Sequence, residues 1–253
     1  MTRRILSGLL VALSLAAWGA QRSAAAPPRP VPILMYHHIA AAPAGERNPS
    51  LWVRPATLRG QLTGLARAGY AAVTLERVHR AWDGGAPLPA KPVVLSFDDG
   101  YDNQVTAAGP ILRARGWPGV LFLQTGRLGV RGGVRESGVR GLLARGWELG
   151  GHTATHPDLT RLTDDALATE TADARQRLQQ RFGVPVASFA YPFGRTDPRV
   201  RAAVQAAGFS DAATVRHGLA SPTGDPFTLR RIKVGPSHGP KRLVALLRRA
   251  GAR

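Results

Sequence analysis

The sequence predicts an α/β fold around a parallel sheet, and the number of its strand–helix units favours a barrel over a small open sheet. Two observations support this prediction. Strand-like and helix-like segments alternate along almost all of the 253 residues. Several strand candidates are also unbroken apolar runs, which is typical of strands buried on both faces. In such barrels the chemistry lies where strands end, so the residues that follow each strand are the candidates for function.

The strand candidates are short apolar runs bounded by proline, glycine or polar residues. In chain order they cover residues 31–36, 71–75, 92–97, 120–123, 187–191 and 229–234. Within the third run, Val93, Val94 and Leu95 show no alternation with polar residues. Both faces of that strand are therefore expected to be buried.

Helix signals lie between these runs. Pro55 suits a first helical turn, and Gly69 follows the predicted end of that helix. Thr163 precedes two acids and predicts a helix start, and Gly183 predicts its end. Further helices are expected over residues 103–115, over residues 197–207 and near the C-terminus, and loops over residues 40–50 and 126–138.

The N-terminus resembles a secretory signal peptide. Arg3 and Arg4 precede an apolar stretch over residues 5–18, and small residues follow it. We expect cleavage after Ala25, which divides the chain into a signal peptide, residues 1–25, and a domain, residues 26–253. The alternative, a membrane anchor, is disfavoured because the apolar stretch is shorter than the ~20 residues that a span needs. The protein is therefore expected to be exported, by the general or the twin-arginine route, to the periplasm, the cell surface or the medium.

The composition excludes several classes of site. The chain has no cysteine, which rules out disulfides, thiolate metal sites and cysteine nucleophiles. The formal net charge is +18, and loss of a signal with three arginines and no acid leaves about +15. A basic surface suits anionic polymers or nucleic acid. However, the arginines are scattered and not interleaved with aromatics, so no specific nucleic-acid partner is expected.

Two acids follow the third strand candidate directly. Asp98 and Asp99 precede Gly100, and adjacent carboxylates after a buried strand are costly unless they are paired or bind a metal. Asp-Gly is also ordinary turn chemistry. His152 and His156 follow another short strand and share one face if the turn between them is helical. Two imidazoles and one carboxylate form a common transition-metal set with open positions.

The same ligand set occurs in non-haem iron oxygenases, which are the alternative enzyme class. A hydrolase needs a metal ligand and a nearby base that activates water, and two adjacent carboxylates supply both. An oxygenase needs only the ligand. The presence of Asp98 beside Asp99 therefore favours a hydrolase.

These segments resemble the motifs of the polysaccharide deacetylases, carbohydrate esterase family four, also called the NodB homology family. Residues 96–100, Ser-Phe-Asp-Asp-Gly, resemble the first motif; residues 152–156 resemble the second, H-[ST]-x-x-H; and residues 191–194, Tyr-Pro-Phe-Gly, resemble the third. Residues 32–39 resemble the start of the subgroup that acts on poly-N-acetylglucosamine. The resemblance runs in order from about residue 31 to residue 235.

The resemblance implies a distorted, incomplete (β/α)7-type barrel in a single domain, and it implies roles. Asp98 would be the general base. The ligands of a divalent cation, zinc or else Co²⁺, Ni²⁺ or Fe²⁺, would be Asp99, His152 and His156. The general acid would be His37, with His38 as the alternative, because consecutive side chains of an extended chain point to opposite sides.

Substrate binding or oxyanion stabilisation is assigned to Tyr101 through its backbone N–H, to Tyr191, Pro192 and Phe193 of the third motif, and to Arg231. Many relatives carry an arginine in the third motif that contacts the base, and this sequence lacks it. Arg231, in the late strand, is the candidate replacement. Many relatives also have a histidine after the late strand, and its absence here directs the acid role to His37.

The resemblance thus implies a metal-dependent hydrolase that removes N-acetyl groups from an N-acetylglucosamine-containing polysaccharide and releases acetate. Separately, we expect a monomer, although the sequence does not reveal the oligomeric state. Three alternatives stay open: an O-acetyl esterase of envelope polysaccharide, a sugar-binding relative without catalysis, and a basic envelope- or nucleic-acid-binding protein.

Overall fold

The computed structural model describes residues 28–252, and the predicted signal peptide lies outside them. Eight strands are present in this part of the chain: β1 (Ile33–Tyr36), β2 (Ala71–Ala72), β3 (Pro92–Asp99), β4 (Val120–Leu123), β5 (Glu148–Gly151), β6 (Ser188–Ala190), β7 (Asp211–His217) and β8 (Leu229–Lys233). All pairings among these strands are parallel.

Helices follow most strands: α1 (Pro55–Arg67), α2 (Leu75–Trp82), α3 (Gly109–Arg113), α4 (Glu136–Leu143), α5 (Asp164–Ala168), α6 (Ala174–Phe182), α7 (Pro198–Ala206) and α8 (Pro240–Arg249). Two π-helical turns are also present. One, Gln104–Ala108, precedes α3, and the other, Thr169–Asp173, joins α5 to α6. Among residues 28–252, no helix combines the length and apolar character needed to cross a bilayer.

The sheet closes into a barrel of seven strands. The strand order is β1-β8-β7-β6-β5-β4-β3-β2, and closure comes from direct pairing of β1 with β3. The two-residue strand β2 pairs only with the start of β3, below the four residues of β3 that pair with β1. The predicted α/β fold and (β/α)7-type barrel are confirmed, with β2 as an extra strand outside the ring.

Side chains alternate between the barrel interior and the layer under the helices, as the period of a strand requires. The interior is filled at mid-height by the apolar side chains of Ile33, Val94, Val120, Phe122, Ala190, Ala213 and Leu229. Their neighbours along the strands, such as Leu34, Leu95 and Leu121, pack outward in the larger core. The apolar interior layer separates two polar ends.

The structure corrects several predicted elements. The strand expected over residues 71–75 ends at Ala72, because Thr74 caps α2 by accepting a hydrogen bond from the backbone N–H of Arg77. The loop expected over residues 126–138 ends where α4 begins, at Glu136. The helix expected over residues 103–115 is present over residues 102–113, and the π-helical turn lies within it, before α3. Strand β7 was not predicted.

Candidate active site

The predicted site residues meet at the carboxyl end of the barrel, in a cleft of about 690 Å³. The cleft is lined by His37 after β1, Asp98 and Asp99 at the end of β3, His152 and His156 after β5, and Arg231 in β8, among others. Residues that are far apart in sequence come together here because the ends of parallel strands lie at one rim of a barrel.

Asp98 lies inside the barrel, two residues beyond Ser96 on the same face of β3. Its Oδ1 accepts a hydrogen bond of 2.8 Å from Nη1 of Arg231, and both side chains are almost fully buried. Nε of Arg231 donates to the carbonyl oxygen of Thr214 at 2.9 Å, which fixes the guanidinium. Burial alone would raise the pKa of Asp98, but the charge of Arg231, together with the nearby imidazoles, holds that pKa below its ordinary value.

Asp99 reaches the same cleft through an unusual backbone conformation. In a regular strand, consecutive side chains point to opposite faces, so Asp98 and Asp99 could not both line the cleft. Asp99 has φ +78°, and Gly100 follows with φ +82°. A Cβ at residue 100 would lie 2.3 Å from a methyl carbon of Leu123, so this position requires glycine.

His152 and His156 converge on Asp99, although the turn between them is not helical. Thr153 has φ +66° and His156 has φ +65°, which contradicts the expected helical turn. Nε2 of His152 lies 3.3 Å from Oδ1 of Asp99, and Nε2 of His156 lies 3.5 Å from the same oxygen. Thus an irregular loop, and not the expected helical turn, brings both imidazoles to Asp99.

The three side chains fit a divalent cation. Their ligand atoms all lie within 4.8 Å of one another, and among residues 28–252 no other group of three acidic, histidine or cysteine side chains does so. Nδ1 of His152 lies 2.7 Å from the carbonyl oxygen of Ala190. A carbonyl only accepts, so Nδ1 carries the hydrogen, which in the neutral imidazole leaves the lone pair on Nε2, as metal-binding histidines require.

The pKa values of the two imidazoles also respond to this grouping. Burial lowers the pKa of His152, but its hydrogen bond to Asp99 and the charges of both aspartates outweigh burial and raise it. Burial and the neighbouring His152 lower the pKa of His156 to about 4. A cation among these ligands would therefore compete with a proton chiefly at His152.

The two candidate acids, His37 and His38, point in different directions. Nε2 of His37 lies 3.9 Å from Oδ2 of Asp98, and His37 lines the cleft. His38 is stacked between the rings of Trp52 and Tyr101, at centroid distances of 3.6 and 3.5 Å. Burial is the main cause that lowers the pKa of both imidazoles, to about 4 for His38. The geometry therefore favours His37 over His38 as the residue that faces a substrate.

The third-motif residues divide into buried and exposed members. Tyr191 is buried, and its hydroxyl donates to the carbonyl oxygen of Phe227 at 3.1 Å. Pro192 is also buried. Phe193 has φ +57°, is 56% exposed, and lies edge-on to His156 at a centroid distance of 4.6 Å. Phe193 is the member of this motif placed to meet a ligand at the mouth of the cleft.

Tyr101 contributes a free backbone donor. Its neighbours Gly100 and Asp102 form backbone hydrogen bonds with residues 132 and 134, whereas the N–H of Tyr101 has no acceptor within residues 28–252. The oxyanion role predicted for this N–H needs such an unoccupied donor.

Sequence reasoning missed two glutamines that support the site. Nε2 of Gln124 donates to Oδ1 of Asp99 at 2.8 Å. Nε2 of Gln104 donates to the backbone carbonyl oxygens of His37 and Asp98, which ties the end of β1 to the end of β3. Gln124 directly follows the buried strand β4, and that position could have identified it.

Several known proteins are similar to this chain in sequence or in fold. The family model for polysaccharide deacetylase matches residues 85–212. The chain is 26% identical over 209 residues to YxkH of Bacillus subtilis (strain 168), which covers 83% of this chain and 73% of that protein. It is 41% identical over 87 residues to the poly-beta-1,6-N-acetyl-D-glucosamine N-deacetylase of Escherichia coli (strain K12), but this match spans only 34% of this chain and 13% of that protein. The structure is similar to the Streptococcus pyogenes deacetylase PplD in complex with acetate, with a TM-score of 0.82 and 27% identity over 87% of this chain and 99% of that one.

Proposed function

The chain belongs to the polysaccharide deacetylase family, and from that premise we propose that it removes N-acetyl groups from N-acetylglucosamine residues of a polysaccharide, using one divalent cation. The observation that carries the proposal is the convergence of Asp99, His152 and His156 beside the separately held carboxylate of Asp98. A deacetylating hydrolase needs both groups, and a protein that only binds sugar needs neither.

Zinc is the cation we propose for this site. One carboxylate and two imidazoles are a ligand set that zinc uses in hydrolases, and it leaves positions open on the cleft side. When bound, the cation would polarise the acetamide carbonyl and make the attacking water more acidic. The buried position of the ligands and the hydrogen bond from Gln124 to Asp99 would fix their orientation.

The proton transfers are assigned to Asp98 and His37. Oδ1 of Asp98 is held by Arg231, so Oδ2 is the oxygen free to take a proton from the attacking water. The new C–O bond forms as this proton moves, and the N–H of Tyr101 donates to the oxyanion. The proton on Asp98 then passes to Nε2 of His37, 3.9 Å away, because the lowered pKa of His37 leaves that imidazole neutral at the start. His37 gives this proton to the amine nitrogen as the C–N bond breaks, because an amine is a poor leaving group. The products are acetic acid, which ionises to acetate, and a glucosamine unit.

We place Phe193 at the substrate. Its exposed ring at the mouth of the cleft can pack against a face of a sugar ring, beside His156. The local match to an enzyme that acts on poly-beta-1,6-N-acetyl-D-glucosamine supports that polymer as the first substrate to test. The N-terminal sequence pattern supports export, which would bring the enzyme to envelope or extracellular polysaccharide.

The test is an acetate-release assay on the purified chain, first stripped of metal with a chelator and then given zinc. We expect no release without metal, and release from poly-N-acetylglucosamine when zinc is restored. The same assay would include chitin oligomers, peptidoglycan and an O-acetylated polysaccharide. Zinc-independent release would overturn the metal role, and release from the O-acetylated polymer alone would overturn the assignment to N-acetyl groups.

A further inference from the structure

The loop that carries both histidines, residues 152–156, is held from one side by a single buried carboxylate. Oε2 of Glu170 accepts hydrogen bonds from the backbone N–H groups of Ala154, at 2.7 Å, and Thr155, at 2.9 Å. Oε1 of Glu170 accepts a third, from the hydroxyl of Thr155 at 2.6 Å. Glu170 is 8% exposed and forms no salt bridge within residues 28–252.

This arrangement offsets two energetic costs: that of burying a carboxylate, and that of leaving the N–H groups of the loop without acceptors. A buried carboxylate without a cation is unfavourable unless strong hydrogen bonds replace its hydration, and all three of its recorded donors come from this one loop. The loop in turn has left-handed residues at 153 and 156, so its N–H groups cannot join a regular helix or strand. Glu170 and the loop therefore satisfy each other.

The opposite side of the loop is fixed to the short turn Thr125–Arg127, which follows β4. The backbone N–H groups of Thr125 and Gly126 donate to the carbonyl oxygens of Thr153 and Ala154, at 3.1 and 2.9 Å. The hydroxyl of Thr153 accepts from the N–H of His156 at 2.8 Å. The loop is thus held between this turn and Glu170, and His156 is its last residue.

Glu170 lies in the π-helical turn Thr169–Asp173 between α5 and α6. Such turns are rare insertions in helices and are frequent at functional sites. Here the turn sits directly against the loop, with Glu170 and Thr171 both buried. The helix signals of the sequence predicted a continuous helix from Thr163 to Gly183 and gave no indication of this role.

We propose that Glu170 is a positioning residue for the cation site: its carboxylate holds the 152–156 loop so that Nε2 of His156 stays beside Oδ1 of Asp99. This inference rests on the proposed metal role of that site. Without Glu170, His156 loses its fixed place relative to His152, and the three ligands bind a cation more weakly.

The experiment measures zinc affinity of the metal-free full-length chain, by competition with a chelator, together with its melting temperature. We expect Glu170→Ala to weaken zinc binding by roughly 10- to 100-fold. Glu170→Gln should stay within a few-fold of the parent, because an amide oxygen can accept both N–H groups and the amide NH₂ can donate to Thr155. Asp173→Ala, which removes an exposed acid from the same π-helical turn, is the matched control and should leave affinity unchanged.

Unchanged zinc affinity in a folded Glu170→Ala variant would overturn the inference, as would an equal loss in Glu170→Gln. If Glu170→Ala does not fold, Thr155→Val decides: it removes only the hydroxyl contact and should weaken zinc binding by a smaller factor, whereas no change would count against the role. Zinc affinity is measured without substrate. A parent chain that binds zinc but releases no acetate would therefore contradict the proposed activity but not the positioning role of Glu170. A parent chain that binds no divalent cation would contradict both the proposed activity and the positioning role of Glu170.

Discussion

Each end of the barrel holds a pair of acids, and the pKa values of the two pairs are shifted in opposite directions. At the carboxyl end lie Asp98 and Asp99. At the amino end, Glu148 and Asp211 open strands β5 and β7 and face inward, by the same alternation that places Leu149 and Ala212 outward. The apolar layer at mid-height separates the two pairs.

Positive groups keep the carboxyl-end acids ionised. Burial raises the pKa of Asp99, but the hydrogen bond and charge of His152, with the other imidazoles, bring it well below its ordinary value. Arg231 does the same for Asp98. The guanidinium of Arg231 lies over the ring of Phe122, which belongs to the apolar layer, so its charge is directed toward the site.

Within residues 28–252, no lysine or arginine forms an ion pair with the acids at the amino end, and the one imidazole beside them is that of His79. Burial raises the pKa of Glu148, and it raises the pKa of Asp211 far above the ordinary value, with the charge of Glu148 adding to the effect. The hydroxyl of Ser188 lies 2.8 Å from Oε1 of Glu148 and 3.0 Å from Oδ2 of Asp211. One hydroxyl hydrogen cannot serve both contacts, so a carboxyl proton must supply the other. Nε2 of His79 lies 3.2 Å from Asp211, and burial lowers the pKa of that imidazole.

Burial therefore does not decide whether an acid inside this barrel is charged. The groups facing it do. At one end they are a fixed arginine and three imidazoles. At the other they are the hydroxyl of Ser188, the backbone N–H of Glu76 and the imidazole of His79. The acids whose pKa values are lowered lie where chemistry is proposed, and the acids whose pKa values are raised lie at the opposite end of the barrel. The same substitution, aspartate to asparagine, should consequently have different effects at the two ends.

The largest effect is expected from Asp98→Asn. The amide cannot accept the proton of the attacking water, so turnover should fall by at least about 10³-fold, in the range of general-base catalysis. Zinc content should remain, because Asp98 is not among the three ligands. Acetate release and metal analysis of the same preparation check both statements. Loss of zinc from this variant would contradict the separation of roles between Asp98 and Asp99.

A smaller effect is expected from Arg231→Gln. Removal of the guanidinium raises the pKa of Asp98, so the carboxyl stays protonated to a higher pH, and the acid limb of the kcat/KM profile moves upward. At neutral pH we expect activity to fall by roughly 10- to 100-fold, as for a supporting contact of a catalytic group. Stability should fall as well, because the buried carboxylate loses its partner.

Arg231→Lys is the matched control for that profile. It restores the positive charge, although not the fork of donors, so its acid limb should lie closer to that of the parent. An acid limb that does not move in Arg231→Gln would show that Arg231 does not set the protonation of Asp98.

The smallest effect is expected from Asp211→Asn, which should raise stability, whereas the two preceding substitutions should lower activity. The raised pKa means that the native state keeps its proton while the unfolded state ionises above about pH 3.9, so the parent loses stability as pH rises toward the folded pKa. Asparagine stays neutral and still reaches Ser188 and His79. At neutral pH the variant should therefore be more stable by about 1 kcal/mol or more, or roughly 2–4 °C in melting temperature, with a gap that closes toward pH 4. A variant less stable than the parent at neutral pH would show that Asp211 is ionised in the fold.

The site was largely accessible from the sequence because its acids and histidines stand directly after apolar strands. Asp98, Asp99, His152 and His156 lie where a parallel barrel gathers its strand ends, and the structure brings them together. What the sequence did not show is how they meet. Nothing in the spacing of His152 and His156 distinguishes a helical turn from a loop with two left-handed residues.

The missed elements have physical reasons. Gly138 and Gly141 lie within α4, and because glycine has a low helix propensity the segment was predicted as a loop. A Cβ at residue 138 would lie 2.9 Å from Val105, so this glycine allows close packing between helices. Strand β7 opens on Asp211 and ends on exposed residues, so it lacks an apolar run. The amino-end cluster was missed because His79 is separated from its partners there by 69 or more positions in sequence. Only the fold brings them together.

Four non-glycine residues within 28–252 have a left-handed backbone, and all four, Asp99, Thr153, His156 and Phe193, surround the cleft. Each such conformation is unfavourable for an ordinary side chain and persists only where its surroundings enforce it. An engineer who copied the reactive side chains onto a regular, idealised barrel would obtain the right amino acids pointing in the wrong directions. Transplanting this chemistry requires moving the bent main chain and its supporting glutamate and glutamines as one unit.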